Sequence, residues 1–182
     1  MKRAGSISVL CIVLAACGVP IQSEPETLVL DLDDPPAVNE PLVEDLAAVS
    51  MYLVREERLV HVTRDLPSSS DLEDVLDSLL GGVSLPEERA NLRTSIPTGT
   101  QLLGLEQEGT LLRIDLSREF ASVGGEEEIL AVAQIVLTTS ASDAVDLVAF
   151  RLDGVPTDVP VASGALSVEP VSAQDYQELL DP

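Results

Sequence analysis

Apolar and polar positions follow two different periods along this chain, and the switches between them mark its elements. Residues 49–54 are β-rich and residues 59–64 form a second apolar run with β-branched positions. The polar stretch Arg55-Glu56-Glu57-Arg58 between them predicts a hairpin. Ser70-Asp71-Leu72-Glu73 has the spacing of a capping box, with Ser70 as the N-cap and Glu73 reaching back. Leu72, Val75, Leu76, Leu79 and Leu80 then recur at helical intervals until Gly81-Gly82 supplies a left-handed C-cap. A second box, Ser84-Leu85-Pro86-Glu87, predicts a short helical turn running to about Arg93. Ile96-Pro97-Thr98-Gly99 is turn chemistry before the next strand.

The second half repeats the alternation of strand and helix. Residues 100–106 and 110–117 predict another hairpin around Gln107-Glu108-Gly109, and in its later strand Leu112, Ile114 and Leu116 alternate with Arg113 and Asp115. Gly124-Gly125 precedes a helix expected over residues 126–139, with three glutamates at the positive end of its dipole. Its expected buried stripe is Ile129, Val132, Ala133, Val136 and Leu137. Residues 146–153 return as a strand with Val148, Phe150 and Leu152 on one face, and Asp153-Gly154 turns it. A strand, helix, strand order of this length implies a crossover to a parallel neighbour. Residues 172–180 predict a short C-terminal helix docked through Tyr176, Leu179 and Leu180. The expected fold is α+β, with a mixed β-sheet of about five strands and two principal helices.

Ahead of this domain the pattern changes. Lys2 and Arg3 precede an apolar run from residue 7 to 16, which ends in Leu14-Ala15-Ala16-Cys17. A span needs about 20 apolar residues, so the run is too short to cross a bilayer and reads as a signal peptide. Small residues before a cysteine resemble the bacterial lipoprotein signal. That resemblance implies cleavage before Cys17 and acylation of its thiol, which places the protein on the extracytoplasmic face of the cell membrane. Residues 18–48 hold five prolines and eight acidic residues with no basic one, the composition of a disordered, self-repelling tether. Its reach runs from roughly 30 Å as a coil to about 95 Å as an extended helix of polyproline type. The apolar residues Leu28, Val29 and Leu30 within it suit a short strand added to the domain edge. The expected organisation is therefore a signal peptide over 1–16, lipidated Cys17 and acidic linker over 17–48, a domain over 49–160, and a C-terminal extension over 161–182.

Charge narrows the partners. The chain carries 32 acidic and ten basic residues, for a formal charge of −22. Two of the basic residues, Lys2 and Arg3, lie in the leader, and the other eight are all arginines. Nucleic acid is excluded as a partner by the lack of cations to meet its phosphates. An anionic bilayer repels such a body, so the lipid has to hold what electrostatics pushes away. Because Cys11 would leave with the leader, only Cys17 would remain, and no internal disulfide is expected.

The residue succession also resembles a known family. Residues 49–54, 59–64, Leu79-Leu80-Gly81-Gly82, residues 92–100, Asp115-Leu116-Ser117-Arg118-Glu119-Phe120, the Gly124-Gly125 helix start and residues 148–154 are together similar to the GerMN domain of sporulation and spore-germination proteins. The resemblance covers residues 49–160 and is most specific at the 115–120 run. It implies an extracytoplasmic, non-catalytic module that binds protein or cell-wall partners.

Enzymatic chemistry finds little support in the residues. His61 is the only histidine, and a general base needs an orienting partner. One histidine and one lipidated cysteine do not make a zinc site. Ser117 lacks the Gly-x-Ser-x-Gly surroundings of a nucleophile elbow. A carboxylate pair at glycosidase spacing arises by chance among 32 acids. The glycine pairs lack phosphate-loop spacing, and no cofactor is expected. Arg64, Arg93 and Arg118 are scarce cations on an acidic body, and clustered they would form a site for an acidic ligand or a partner's carboxylates. Around Arg118 the favoured reading is packing, with Leu116 and Phe120 in the core and Arg118 paired to an acid. The sequence thus predicts a non-enzymatic envelope scaffold or regulatory binding protein, anchored to the lipid bilayer through Cys17. The alternative is a module for peptidoglycan or another wall glycan, and a glycan hydrolase is a distant third.

Overall fold

The computed structural model describes residues 45–182. The leader, Cys17, the tether up to residue 44 and the Leu28 to Leu30 run lie outside the described residues. The first hairpin pairs β1 (Leu46–Arg55) with β2 (Arg58–Pro67), ten residues each and antiparallel. β1 begins three residues before the predicted start, so residues 46–48, read as tether, are strand. Glu56 and Glu57 close the hairpin with φ of 49° and 62°, the two left-handed residues that a tight turn between twisted strands demands.

Helix α1 (Leu72–Leu80) is capped by Asp71, not by Ser70. The Asp71 carboxylate accepts from the amides of Glu73 and Asp74, and Asp74 returns the bond to the Asp71 amide. Aspartate and serine cap about equally well, but the carboxylate adds its charge to the positive end of the helix dipole, and the Ser70 amide is committed to the Pro67 carbonyl. Gly82, with φ of 86°, gives the expected left-handed exit. Helix α2 (Leu85–Arg89) stops four residues short of the prediction. Asn91 turns left-handed there, and Arg93 is drawn off to pair with Val54 through two 2.8 Å backbone bonds.

The α+β class with a mixed sheet holds, and the strands divide among three sheets. Beside the hairpin stands a four-stranded sheet in the order β3 (Leu102–Glu108), β4 (Leu111–Leu116), β5 (Leu147–Leu152), β6 (Val155–Thr157). β4 and β5 run parallel, as the crossover through α3 (Glu126–Thr139) requires, and the other pairs are antiparallel. A two-stranded ribbon joins β7 (Val159–Pro160) to β8 (Leu166–Ser167). One core links Leu53, Val54 and Leu59 of the hairpin, Leu76 and Leu79 of α1, Leu112, Ile114 and Leu116 of β4, Val148 and Phe150 of β5, and α3.

Helix α3 has no wet face over its last ten residues. Leu130 through Thr139 are all buried, whereas the predicted stripe left one side to solvent, and Ile129 is only half-buried. The hairpin packs on it, and so does the chain beyond β6, which supplies β7 and a 3-10 turn at Ala173–Leu179 in place of the predicted C-terminal helix. Tyr176 of that turn is fully buried and donates to the Pro160 carbonyl at 2.9 Å. Leu179 and Leu180 dock half-buried beside it.

Candidate functional site

Among the described residues, the outward edge of β1 is managed along half its length only. In an antiparallel ladder alternate residues turn their N–H and C=O away from the partner strand. Here Val54 points outward to Arg93, and Tyr52 points outward to α3. The Tyr52 amide donates to Thr138 Oγ1 at 3.1 Å, and its carbonyl accepts from Gln134 Nε2 at 3.1 Å. By the same alternation Ser50, Ala48 and Leu46 turn their polar groups outward. Among the described residues no hydrogen-bonding group reaches them. The segment from Leu46 to Val54 carries no charge and no proline, and Leu46 is 55% exposed. Exposed strand edges are normally guarded by charge, proline or cover, and β2 has such guards in Arg64, Asp65 and Pro67. The uncharged run after Asp45 was the sequence signal for this edge, and reading residues 46–48 as tether hid it.

The three singled-out arginines each meet a different carboxylate. Arg64 forks onto both oxygens of Glu87 at 2.7 and 2.8 Å and donates to the carbonyls of Ser78 and Gly82 at the C-terminal end of α1. Its charge thereby serves a helix terminus that has no basic residue in its own last turn. The Arg64 guanidinium pulls the Glu87 carboxyl down to about 2 from its ordinary 4.5. Arg93 forks onto Glu127 at 2.8 and 2.9 Å and lowers the pKa of that carboxyl. Arg118, far more exposed, pairs with Asp153 at 3.0 Å. They share no partner.

The 115–120 run ties strand ends together. Ser117 Oγ accepts from the Gln101 amide at 3.0 Å, and Asp115 accepts from the Gly154 amide at 2.9 Å. Phe120 stacks on Phe150 with ring centres 6.3 Å apart. This is the packing role expected of the run, with Arg118 fixing the β5–β6 turn through Asp153. His61 is exposed and bonds Ser50 Oγ at 3.0 Å, edge-on to Tyr52. The displaced carboxyls Glu87, Glu119 and Glu127 all move downward, opposite to what a glycosidase acid needs.

A shallow groove of about 550 Å³ opens between the C-terminal end of α1 and the segment 94–102. Leu80, Ile96 and Leu102 form its floor, with Asp77, Thr98 and Gln101 around it. Among the described residues, no group of three or more His, Cys, Asp or Glu side chains is placed to hold a metal, and no helix is long and apolar enough to cross a membrane.

Comparison with known proteins agrees with the sequence resemblance. The model of the Germane family, described as sporulation and spore germination, matches residues 42–158. Among solved structures, the tandem GerMN domains of the sporulation protein GerM from Bacillus subtilis match with a TM-score of 0.59 at 20% identity, over 72% of this chain and 48% of that one. The first GerMN domain of the same protein matches with a TM-score of 0.55 at 19% identity, over 70% of this chain and 98% of that one. The chain therefore spans about half the length of the tandem-domain chain, and at these identities the likeness is one of fold. A search of curated proteins finds no match.

Proposed function

Because the chain belongs to the Germane family of sporulation and spore germination domains, we propose that it is a non-enzymatic surface lipoprotein that docks an envelope protein by strand addition. The observation that carries this reading is the uncharged, half-covered edge of β1. Strand addition supplies main-chain hydrogen bonds to an edge that already has its geometry set, and the partner completes what Gln134, Thr138 and Arg93 begin at the inner end. Anchoring through Cys17 sets where the domain works. Two or three acyl chains hold a protein on a bilayer where one does so only marginally. Replacing Cys17 with alanine is expected to move the protein from the membrane fraction to the soluble one and to abolish labelling by palmitate.

A second reading rests on the groove beside α1, whose threonine and glutamine rim over an aliphatic floor suits a wall glycan. Sedimentation with purified sacculi set against site-directed crosslinking from position 48 in cells separates the two. Crosslinks to a discrete envelope protein without sedimentation support docking. Retention on the wall with no crosslinked protein would overturn it.

A further inference from the structure

Charge decides what kind of strand this edge accepts. Of the eight arginines in the described residues, six form ion pairs, with Asp181, Glu87, Glu127, Glu108, Asp153 and Glu106. A seventh, Arg58, donates to the Glu178 carbonyl. The remaining one, Arg89, stands on α2. Acidic residues far outnumber these cations, so the positive charge is consumed internally while a large negative surplus stays on the surface.

The surplus is felt at the half of β1 that no other described residue covers. Asp45 immediately precedes the strand and is exposed, and Asp65 lies directly across from Ala48 in the register and is exposed too. The nearby cation on β2, Arg64, is half-buried and held by Glu87. A strand laid along β1 sits one strand from the β1 side chains and two strands, roughly 10 Å, from Asp65, which is about one Debye length at 0.1 M salt and well within it at lower salt. The strand itself offers aliphatic and small side chains at Leu46, Ala47, Ala48 and Val49.

We propose that the partner of the β1 edge is an extended segment of alternating aliphatic or threonine residues flanked by lysine or arginine, and that an acidic strand is rejected. This rests on the strand-addition reading. Like-charge juxtaposition suppresses wrong partners at an interface, and opposite charge speeds encounter. A second copy of this acidic chain is disfavoured by the same rule.

The test uses the full chain and two short synthetic peptides of alternating valine and threonine, one flanked by lysines and one by glutamates. Amide hydrogen exchange at Ala48 and Ser50 and the dissociation constant are the readouts. The lysine peptide is expected to protect both amides and to bind at least about tenfold tighter than the glutamate peptide at low salt, with the gap narrowing at 1 M salt. Ala48→Pro removes an outward N–H and is expected to abolish the protection, while Asp65→Lys narrows the preference without touching the edge backbone. Equal binding of both peptides overturns the basic-partner inference and leaves edge docking standing. Binding of the lysine peptide that is indifferent to Ala48→Pro, or protection by neither peptide, overturns edge docking itself. Amides protected in the free chain and released by deleting residues 18–41 overturn both, because the edge is then filled by the chain's own segment.

Discussion

Gln134 shows how a single side chain can join three segments. It is fully buried on α3, and its Oε1 accepts from the Ser95 amide at 2.7 Å and the Thr94 hydroxyl at 3.3 Å. Its Nε2 donates to the Tyr52 carbonyl. Replacing Gln134 with leucine keeps the volume and orphans the Ser95 amide and the Tyr52 carbonyl. Unsatisfied buried groups cost about 1–3 kcal/mol each, so chemical denaturation is expected to show a loss of at least about 2 kcal/mol. The Arg64–Glu87 pair sets a pH dependence instead. Glu87 titrates near 2 when folded and near 4.5 when unfolded, so its contribution is complete above about 4.5 and is lost as pH falls toward 2. Urea midpoints measured from pH 5 to pH 2 are expected to fall across that window, and Arg64→Met is expected to flatten this component of the decline. Neither role was legible in the sequence. A glutamine in an apolar helix and an arginine in a strand show their partners only when segments 40 and 23 residues away are brought to them.

At the scale of elements, local chemistry predicted what local chemistry controls. The bounds of α3 emerge as expected from Gly124-Gly125 and the glutamates that follow, and so does the Asp153-Gly154 turn, where both residues are left-handed. The second capping box formed as well, with Glu87 accepting from the Ser84 amide at 2.6 Å. One local reading failed, since Asp71 and not Ser70 caps α1, and the larger failure, on α3, depended on distant neighbours. The stripe on α3 was drawn for a helix with one covered side, and the far side, with Leu130, Ala131 and Ile135, is apolar because the hairpin and the C-terminal segment enclose it. Full enclosure makes small residues matter: Ala133→Leu adds volume where none is free, and overpacking of this kind costs about 1–3 kcal/mol. A lowered thermal midpoint without loss of helical circular dichroism is the expected outcome. The candidate edge was half-legible, since its lack of charge is printed in the sequence while its exposure depends on where α3 and Arg93 stop covering it.

Across the whole molecule, the chain beyond the family match closes the fold. Residues 159–182 place β7 and the Tyr176 turn on α3, and the terminal stretch reaches the hairpin, where the Asp181 amide donates to the Leu59 carbonyl at 2.9 Å and Arg55 meets Asp181 at 3.5 Å. Truncation after Asp158 is therefore expected to bare the apolar flank of α3, seen as dye binding and self-association. Tyr176→Phe, which orphans only the Pro160 carbonyl, is expected to cost about 1–3 kcal/mol and to leave the protein monomeric. This closure also orders events in time. Synthesis proceeds at roughly 5–20 residues per second, so residues 159–182 trail the central helix by on the order of seconds. Until that segment arrives, wherever the domain folds, it presents an unsealed greasy flank, and any chaperone that escorts it has its natural binding window there.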